Sequence, residues 1–168
     1  MQINISDDSL ELGAKAAKYI SARLNGIIAK NGEARIVVST GSSQFEMFEA
    51  LIKENIDWTK IEVFHLDEYI GLPVTHIASF RKYLYARFIN HVPVRKFHGV
   101  DVEGDIEERI DKLSGELRKK PIDLGMIGIG VNGHIAFNDP PADFDTHDAY
   151  IVVKLDDLTI ILMFDALQ

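Results

Sequence analysis

Residues 127–140, IGIGVNGHIAFNDP, put an imidazole and a carboxylate just past an apolar strand. Gly128, Gly130 and Gly133 make a tight turn there, and His134 and Asp139 follow within reach of one another. A histidine titrates in the working pH range, so His134 can pass a proton to a ligand oxygen while Asp139 holds the imidazole or tunes its charge. A second acidic pair, Asp67 and Glu68, follows the apolar run of residues 61–66. Partly desolvated in a crevice, such a carboxylate has a raised pKa and moves protons on and off carbon near neutral pH; fully hydrated, it is only an acidic loop. The third constellation, Ser39-Thr40-Gly41-Ser42-Ser43, joins a strand end to a helix start, where free N–H groups and the helix dipole favour an anion. It lacks the lysine of a P-loop, which argues against a nucleoside triphosphate and for a phosphate monoester. Plain capping of the helix by Ser42 or Ser43 is the alternative.

Two other site classes are tested by spacing. The letters Gly128-x-Gly130-x-x-Gly133 match the dinucleotide fingerprint, which needs a helix of about a dozen residues directly after it. Pro140 and Pro141 leave that helix no room, because proline inside a helix removes a hydrogen bond and clashes with the preceding turn. No metal constellation is visible: His65, His76, His91, His98 and His147 lack a paired-ligand spacing, and the chain has no cysteine.

The elements that must position these residues alternate. Residues 6–30 read as a helix with Ser6 as cap, Asp7, Asp8 and Glu11 at its positive end, and Leu12, Ala16, Ile20, Leu24 and Ile27 on one face. Asn31-Gly32 ends it. A buried strand at 36–38 leads through the polar turn into a second amphipathic helix that uses Phe45, Phe48, Leu51 and Ile52. The run 61–66 is the next strand, its loop carries Asp67, Glu68 and Gly71, and helices over 80–88 and about 106–118 precede a strand at 122–127. This alternation predicts an α/β fold, a parallel sheet covered on both faces. Ligands bind such sheets at the carboxyl ends of the strands, so the Thr40, Asp67 and His134 loops are expected to converge on one crevice.

Composition narrows the function classes. With 168 residues, 46% of them hydrophobic, the chain is long enough for one domain with a real core. It has no apolar run long enough to span a bilayer, and its start lacks the pattern of a signal peptide, which points to a cytoplasmic location without a membrane partner. The net charge is −8 and the longest basic run is Arg118-Lys119-Lys120, which argues against nucleic acid as a partner. A small anionic ligand held by backbone N–H groups is compatible with that charge, and so is a homo-oligomer.

Three blocks together resemble the glucosamine-6-phosphate deaminase (isomerase) family, related to the 6-phosphogluconolactonases: Ser39 to Ser43 before a helix, Phe64-His65-Leu66-Asp67-Glu68-Tyr69-Ile70-Gly71-Leu72-Pro73, and Gly128 through Pro140. The resemblance covers about residues 10–155 and implies a three-layer α/β/α sandwich with a Rossmann-like, mostly parallel sheet. It implies an enzyme that takes a small sugar phosphate, opens a hexosamine 6-phosphate ring, isomerises the aldose to a ketose and releases ammonia without a cofactor. By position, Asp67 would shuttle the proton between C1 and C2, His134 would assist ring opening, and Asp139 would partner that histidine. Thr40, Gly41, Ser42 and Ser43 would hold the phosphate, and Glu68, Gly130 and Gly133 would complete the binding surface. The Asp67–Leu72 block and residues 135–139 are closer to the deaminase pattern than to the lactonase one.

Two positions depart from that pattern. Asn132 stands where the deaminases carry an aspartate, and Asp139 where they carry a glutamate; Asn132 can orient His134 but carries no charge to stabilise its imidazolium. These departures leave open which amino sugar is taken, and keep a lactonase and a non-catalytic sugar-phosphate-binding relative as alternatives. The C-terminus departs too. Residues 150–155 and 158–164 both read as strands, yet only Asp156-Asp157 lies between them, too short for a parallel crossover and poor for a two-residue hairpin. The chain therefore reads as a single domain over 1–168 that is incomplete after about 157, where family chains continue and supply basic residues for the phosphate.

Overall fold

Asp8, not Ser6, starts the first helix. The Asp8 side chain accepts a hydrogen bond from the Glu11 N–H at 2.7 Å, and the Glu11 carboxylate reaches back to the Asp7 N–H at 2.9 Å. Both bonds satisfy donors that a helix start leaves free. Helix α1 then runs over Ser9–Asn31 and ends where Gly32, at φ +80°, turns left-handed and donates to the Ile28 carbonyl at 2.8 Å. The remaining elements are β1 (Ala34–Val38), α2 (Phe45–Leu51), β2 (Ile61–His65), α3 (Phe80–Arg87), β3 (Lys96–His98), α4 (Ile106–Arg118) and β4 (Leu124–Met126). They come from a computed structural model, which describes residues 2–130, 132–139 and 141–155.

The four strands are parallel in the order β3-β2-β1-β4. Alternation along the strands then sorts the residues into two faces. Ala34, Ile36 and Val38 of β1, with Ile61 and Val63 beside them, meet Ala17, Ile20 and Leu24 of α1, Phe48 and Leu51 of α2, and Leu84 of α3 in one core. On the other face Arg35 lies under α4. Its guanidinium donates to the carbonyls of Glu116 at 2.6 Å, Leu117 at 3.0 Å and Lys120, and stacks 4.6 Å over the Phe64 ring. One buried cation thereby holds the carbonyl end of α4, the negative end of its dipole, against the sheet. Helices on both faces make this a three-layer α/β/α arrangement.

The face that α1 buries is rotated from the expected one. Gly13, Ala17, Ser21 and Ile28 are buried with Ile20 and Leu24, while Leu12 is exposed. The reason is close approach: a Cβ on Gly13 would stand 2.6 Å from the Glu46 carbonyl carbon, so small residues must face α2 there. Residues 151–155 form no ladder with any described strand, although their composition is strand-like. The expected strand at 158–164 and the break at Asp157-Leu158 lie outside the described residues.

Candidate active site

The Asp67, Thr40 and His134 loops leave the carboxyl ends of β2, β1 and β4, neighbours in the sheet. From β1 the chain steps outward to β2 and β3, and α4 then carries it back to β4 on the far side of β1. A reversal of this kind opens a crevice between the two loops that flank it. Ser39 stitches that place together. Its Oγ accepts from the Gly128 N–H at 2.8 Å and from the Gln44 amide, and its own N–H donates to the Met126 carbonyl at 2.9 Å.

At the end of β1, Gly41 sits at φ +139° and ψ 157°, a conformation that costs glycine little and other residues much. Its carbonyl accepts from the Tyr83 hydroxyl at 2.9 Å and the Gln44 N–H at 3.1 Å. The turn Ser42–Gln44 leads into α2, and neither it nor α2 has a side-chain cap, so the hydroxyls of Ser42 and Ser43 are not spent on capping. Both serines are exposed and Thr40 and Gly41 are half-buried. First-turn N–H groups have no carbonyl of their own helix to donate to. Hydroxyls and N–H groups together suit an anion.

At the end of β2 the Leu66 N–H still bonds to the Val38 carbonyl at 3.0 Å, and Asp67 is the next residue. It opens onto a cavity of about 550 Å³ walled by Tyr69, Val100, Ile106, Phe137, Tyr150 and Val152 among others. Burial pushes the Asp67 carboxyl up to about 7, and the negative charge of Glu68 adds to the rise. Burial, and after it the charge of Asp67, likewise holds the phenols of Tyr69 and Tyr150 above their ordinary range. The Tyr150 hydroxyl donates to the His65 carbonyl at 2.7 Å, which ties residues 149–155 to the end of β2.

Glu68 has a different employment from the one expected for a substrate contact. Its carboxylate is fully buried and accepts from the Phe80 N–H at 3.0 Å, the Arg81 N–H at 2.8 Å and the Ser79 hydroxyl at 2.9 Å. It thus caps α3 from outside and builds the wall of the site, because its oxygens are already taken.

Beyond β4 the glycine turn closes on itself. The Gly130 N–H donates to the His134 carbonyl and the Gly133 N–H to the Gly130 carbonyl, both at 2.9 Å, with Gly133 at φ +87°. Among the described residues no helix follows, in keeping with Pro140 and Pro141 in the sequence, so the helix that pyrophosphate binding needs is absent from them. The imidazole folds over Gly130 so closely that a Cβ there would lie 2.3–2.6 Å from three of its ring atoms. Asn132 is fixed by two partners whose roles cannot be exchanged: its Oδ1 accepts from the His134 N–H at 3.3 Å, and its Nδ2 donates to Asp139 Oδ1 at 3.1 Å. His134 Nδ1 then faces oxygens only, Asn132 Oδ1 at 2.5 Å and Asp139 Oδ1 at 3.0 Å. Nδ1 must carry the proton, which leaves the lone pair of the neutral ring on Nε2.

The predicted residues therefore gather in two groups. Asn132, His134 and Asp139 touch one another, and the Thr40 turn joins their loop through Ser39 and Gly128. Asp67 faces its own cavity, whose wall includes residues 136–138 of the histidine loop but not His134. Ring contacts lock the two sides together: Tyr69 lies 4.8 Å from Phe137 and 5.1 Å from Phe80, and Phe80 lies 5.6 Å from Phe137. Among the described residues no cluster of three or more His, Asp or Glu side chains is placed to hold a metal ion.

A family model described as glucosamine-6-phosphate isomerases/6-phosphogluconolactonase matches residues 7–157 of this chain. The chain belongs to the glucosamine-6-phosphate isomerase/6-phosphogluconolactonase family. Glucosamine-6-phosphate deaminases of Streptococcus pneumoniae (strain 70585) and Thermoanaerobacter sp. (strain X514) are each 33% identical to it, the first over 77% of this chain and 55% of its own length, the second over 95% and 64%. This family member thus spans between about half and two thirds of the length of those curated relatives. The solved structure of a monomeric glucosamine-6-phosphate deaminase shares its fold with a TM-score of 0.84 at 24% identity, over 96% of this chain and 68% of that one. A 6-phosphogluconolactonase from Thermotoga maritima does so with a TM-score of 0.75 at 19% identity, over 86% and 66%.

Two residues that build the site in this isomerase/lactonase family member carry no motif. Tyr83 and Tyr150 each act through one hydrogen bond to a backbone carbonyl distant in sequence, and only their places in a predicted helix and a predicted strand hinted at them. The raised carboxyl of Asp67 also has a cost for the fold. The protonated form suits the buried position, so the stability this group contributes is fully present below its ordinary value of 3.8, falls as the pH rises through about 7, and then levels off. Asp67→Asn is expected to be more stable than the parent at about pH 8, by on the order of 2 kcal/mol, with the difference vanishing below about pH 4. Thermal melts of both proteins across that range check it, and a gap that does not change with pH would contradict it.

Proposed function

We propose that this chain carries the proton-transfer site of a hexosamine 6-phosphate deaminase, converting glucosamine 6-phosphate to fructose 6-phosphate and ammonia. The observation that carries the reading is the Asp67 carboxyl, raised to about 7 at the carboxyl end of β2, beside the loop that holds His134. The 6-phosphate sits on the Thr40–Ser43 turn. His134 Nε2 takes the O1 proton and returns it to the ring oxygen; the C1–O5 bond breaks and C1 becomes an aldehyde. Ionised Asp67 then removes the proton on C2, giving an enolamine; the protonated carboxyl exchanges with water and returns a proton to C1. A carboxyl that takes and returns a proton at neutral pH works best with its pKa near ambient. The resulting ketose imine reacts with water, releasing ammonia and leaving the ketose. Protons move only between substrate, side chains and water, so the sequence of steps calls for no cofactor.

Lactone hydrolysis is the family's other chemistry. It needs a water activated by a histidine and gives a near-neutral carboxyl at Asp67 nothing to do, so the deaminase reading is favoured. Glucosamine 6-phosphate, galactosamine 6-phosphate and the 6-phosphogluconolactone, assayed side by side, separate the readings. Ammonia and a ketose phosphate are expected from a hexosamine phosphate. Acid release from the lactone alone would overturn the proposal in favour of the hydrolase, and thermal stabilisation by hexose phosphates without any product would leave a binding protein.

A further inference from the structure

The reaction proposed above leaves Glu68 without a part, yet its side chain is fully buried and bound on both oxygens. Oε1 accepts from the N–H groups of Tyr69 and Phe80 at 3.0 Å each, and Oε2 from the Ser79 hydroxyl at 2.9 Å and the Arg81 N–H at 2.8 Å. The Arg81 guanidinium adds a contact at 3.4 Å. Every partner is a donor, and a carboxylate is the side-chain form with acceptor sites for all of them. Arg81 does not cancel the charge on its own. Its guanidinium also contacts the Leu72 carbonyl at 3.1 Å, Glu103 at 3.4 Å and Asp101 at 3.5 Å, so it is shared among three carboxylates.

We infer that Glu68 is a positioning residue for Asp67: clamped as an anion on the start of α3, it fixes the loop that carries the base and presents a standing negative charge to it. The inference deepens the deaminase reading and rests on it for any effect on turnover. The charged and titratable groups around Asp67 leave Glu68 as the dominant one. Tyr69 and Tyr150 flank the same cavity as neutral phenols, and Asp101 and Lys154, which also line it, oppose one another in sign. His65 behind it is buried and held far below its ordinary value, down to about 3, by burial and by Arg81, so it is uncharged. Burial ranks first and Glu68 second in raising the Asp67 carboxyl. The two adjacent acids are therefore a divided pair, one clamped as an anion and one poised to move a proton.

Carboxyl carbon NMR on the chain labelled at Asp and Glu tests this without any substrate, with Asp67→Asn assigning the Asp67 signal. Asp67 is expected to titrate near neutral pH. Glu68→Gln should lower that midpoint by about one pH unit, whereas Glu68→Asp, which keeps the charge, should restore most of it. A folded Glu68→Gln protein with an unmoved midpoint overturns the inference. The substitution presses an amide NH2 against donors, so that variant can fail to fold, and the parent then decides: the Glu68 carbon should show an inflection at the Asp67 midpoint that disappears in Asp67→Asn. A Glu68 signal flat through neutral pH overturns the inference equally. Because the readout needs no turnover, an inactive protein with coupled titrations would sink the deaminase reading and leave the coupling standing.

Discussion

Asp67→Asn is expected to lower kcat/KM on glucosamine 6-phosphate by about 10²–10⁴-fold, the range that a positioned general base contributes. The amide keeps the shape of the side chain and its place at the cavity wall but has no lone pair basic enough to take a proton from carbon. Binding should survive, because the phosphate and ring contacts proposed for the Thr40 turn and His134 are untouched. In the parent, kcat/KM should climb as the pH rises through about 7, where the Asp67 carboxyl loses its proton. The variant should lose that limb along with its activity. Steady-state rates over pH, with product followed as ammonia, check both points; unchanged turnover in Asp67→Asn would remove this residue from the mechanism.

Gly130→Ala should be nearly as damaging, through a different cause. The added methyl would stand 2.3–2.6 Å from the ring atoms of His134, closer than any real contact, so the imidazole must leave its bonds to Asn132 and Asp139. A histidine displaced by about 1 Å loses on the order of 10²-fold in rate when its role is directional proton transfer. His134 does not line the cavity that Asp67 faces, so the near-neutral titration of the Asp67 carboxyl should persist in this variant. Loss of ring opening with an intact Asp67 titration is the expected pair of results. Wild-type rates in Gly130→Ala would show that the observed seat of His134 does not matter.

The frame of the molecule was legible because its strands are short apolar runs and its turns are polar. Residues 36–38 and 61–66 are short, mainly apolar runs that suit inner strands of a parallel sheet, and the structure pairs 36–38 with 63–65 directly. β3 is not legible in the sequence, because Lys96, Phe97 and His98 have no strand pattern of their own; register beside β2 and the stacking of His98 on Phe64, 4.1 Å between centroids, define that strand. The buried face of α1 does not follow from its large apolar residues, because the tight crossing with α2 selects Gly13 and Ala17. Residues 150–155 have strand composition but no ladder partner among the described strands, and composition cannot supply one.

The site was legible in outline for a related reason. Motif residues sit where a strand ends, so Asp67, His134 and the Thr40 turn could be assigned to one edge of the sheet. Apart from the resemblance, which gives Asp67 the base's place and Glu68 a substrate contact, the residue types do not separate these two acids, which lie side by side with similar chemistry. Ser79, Phe80 and Arg81, which lie eleven to thirteen residues further along, make one of them a cap for α3 and leave the other facing the cavity. In the same way Asn132, a departure from the deaminase pattern, still fixes the proton on Nδ1 of His134 through its own amide.

Proton exchange at carbon tests the central claim most directly. Glucosamine 6-phosphate incubated with the chain in deuterium oxide and followed by proton NMR should yield fructose 6-phosphate carrying solvent deuterium at C1, together with ammonia, and Asp67→Asn should do neither. Substrate recovered with its C2 proton intact, under conditions where the protein is folded and the phosphate is bound, would contradict the assignment of Asp67 as the base.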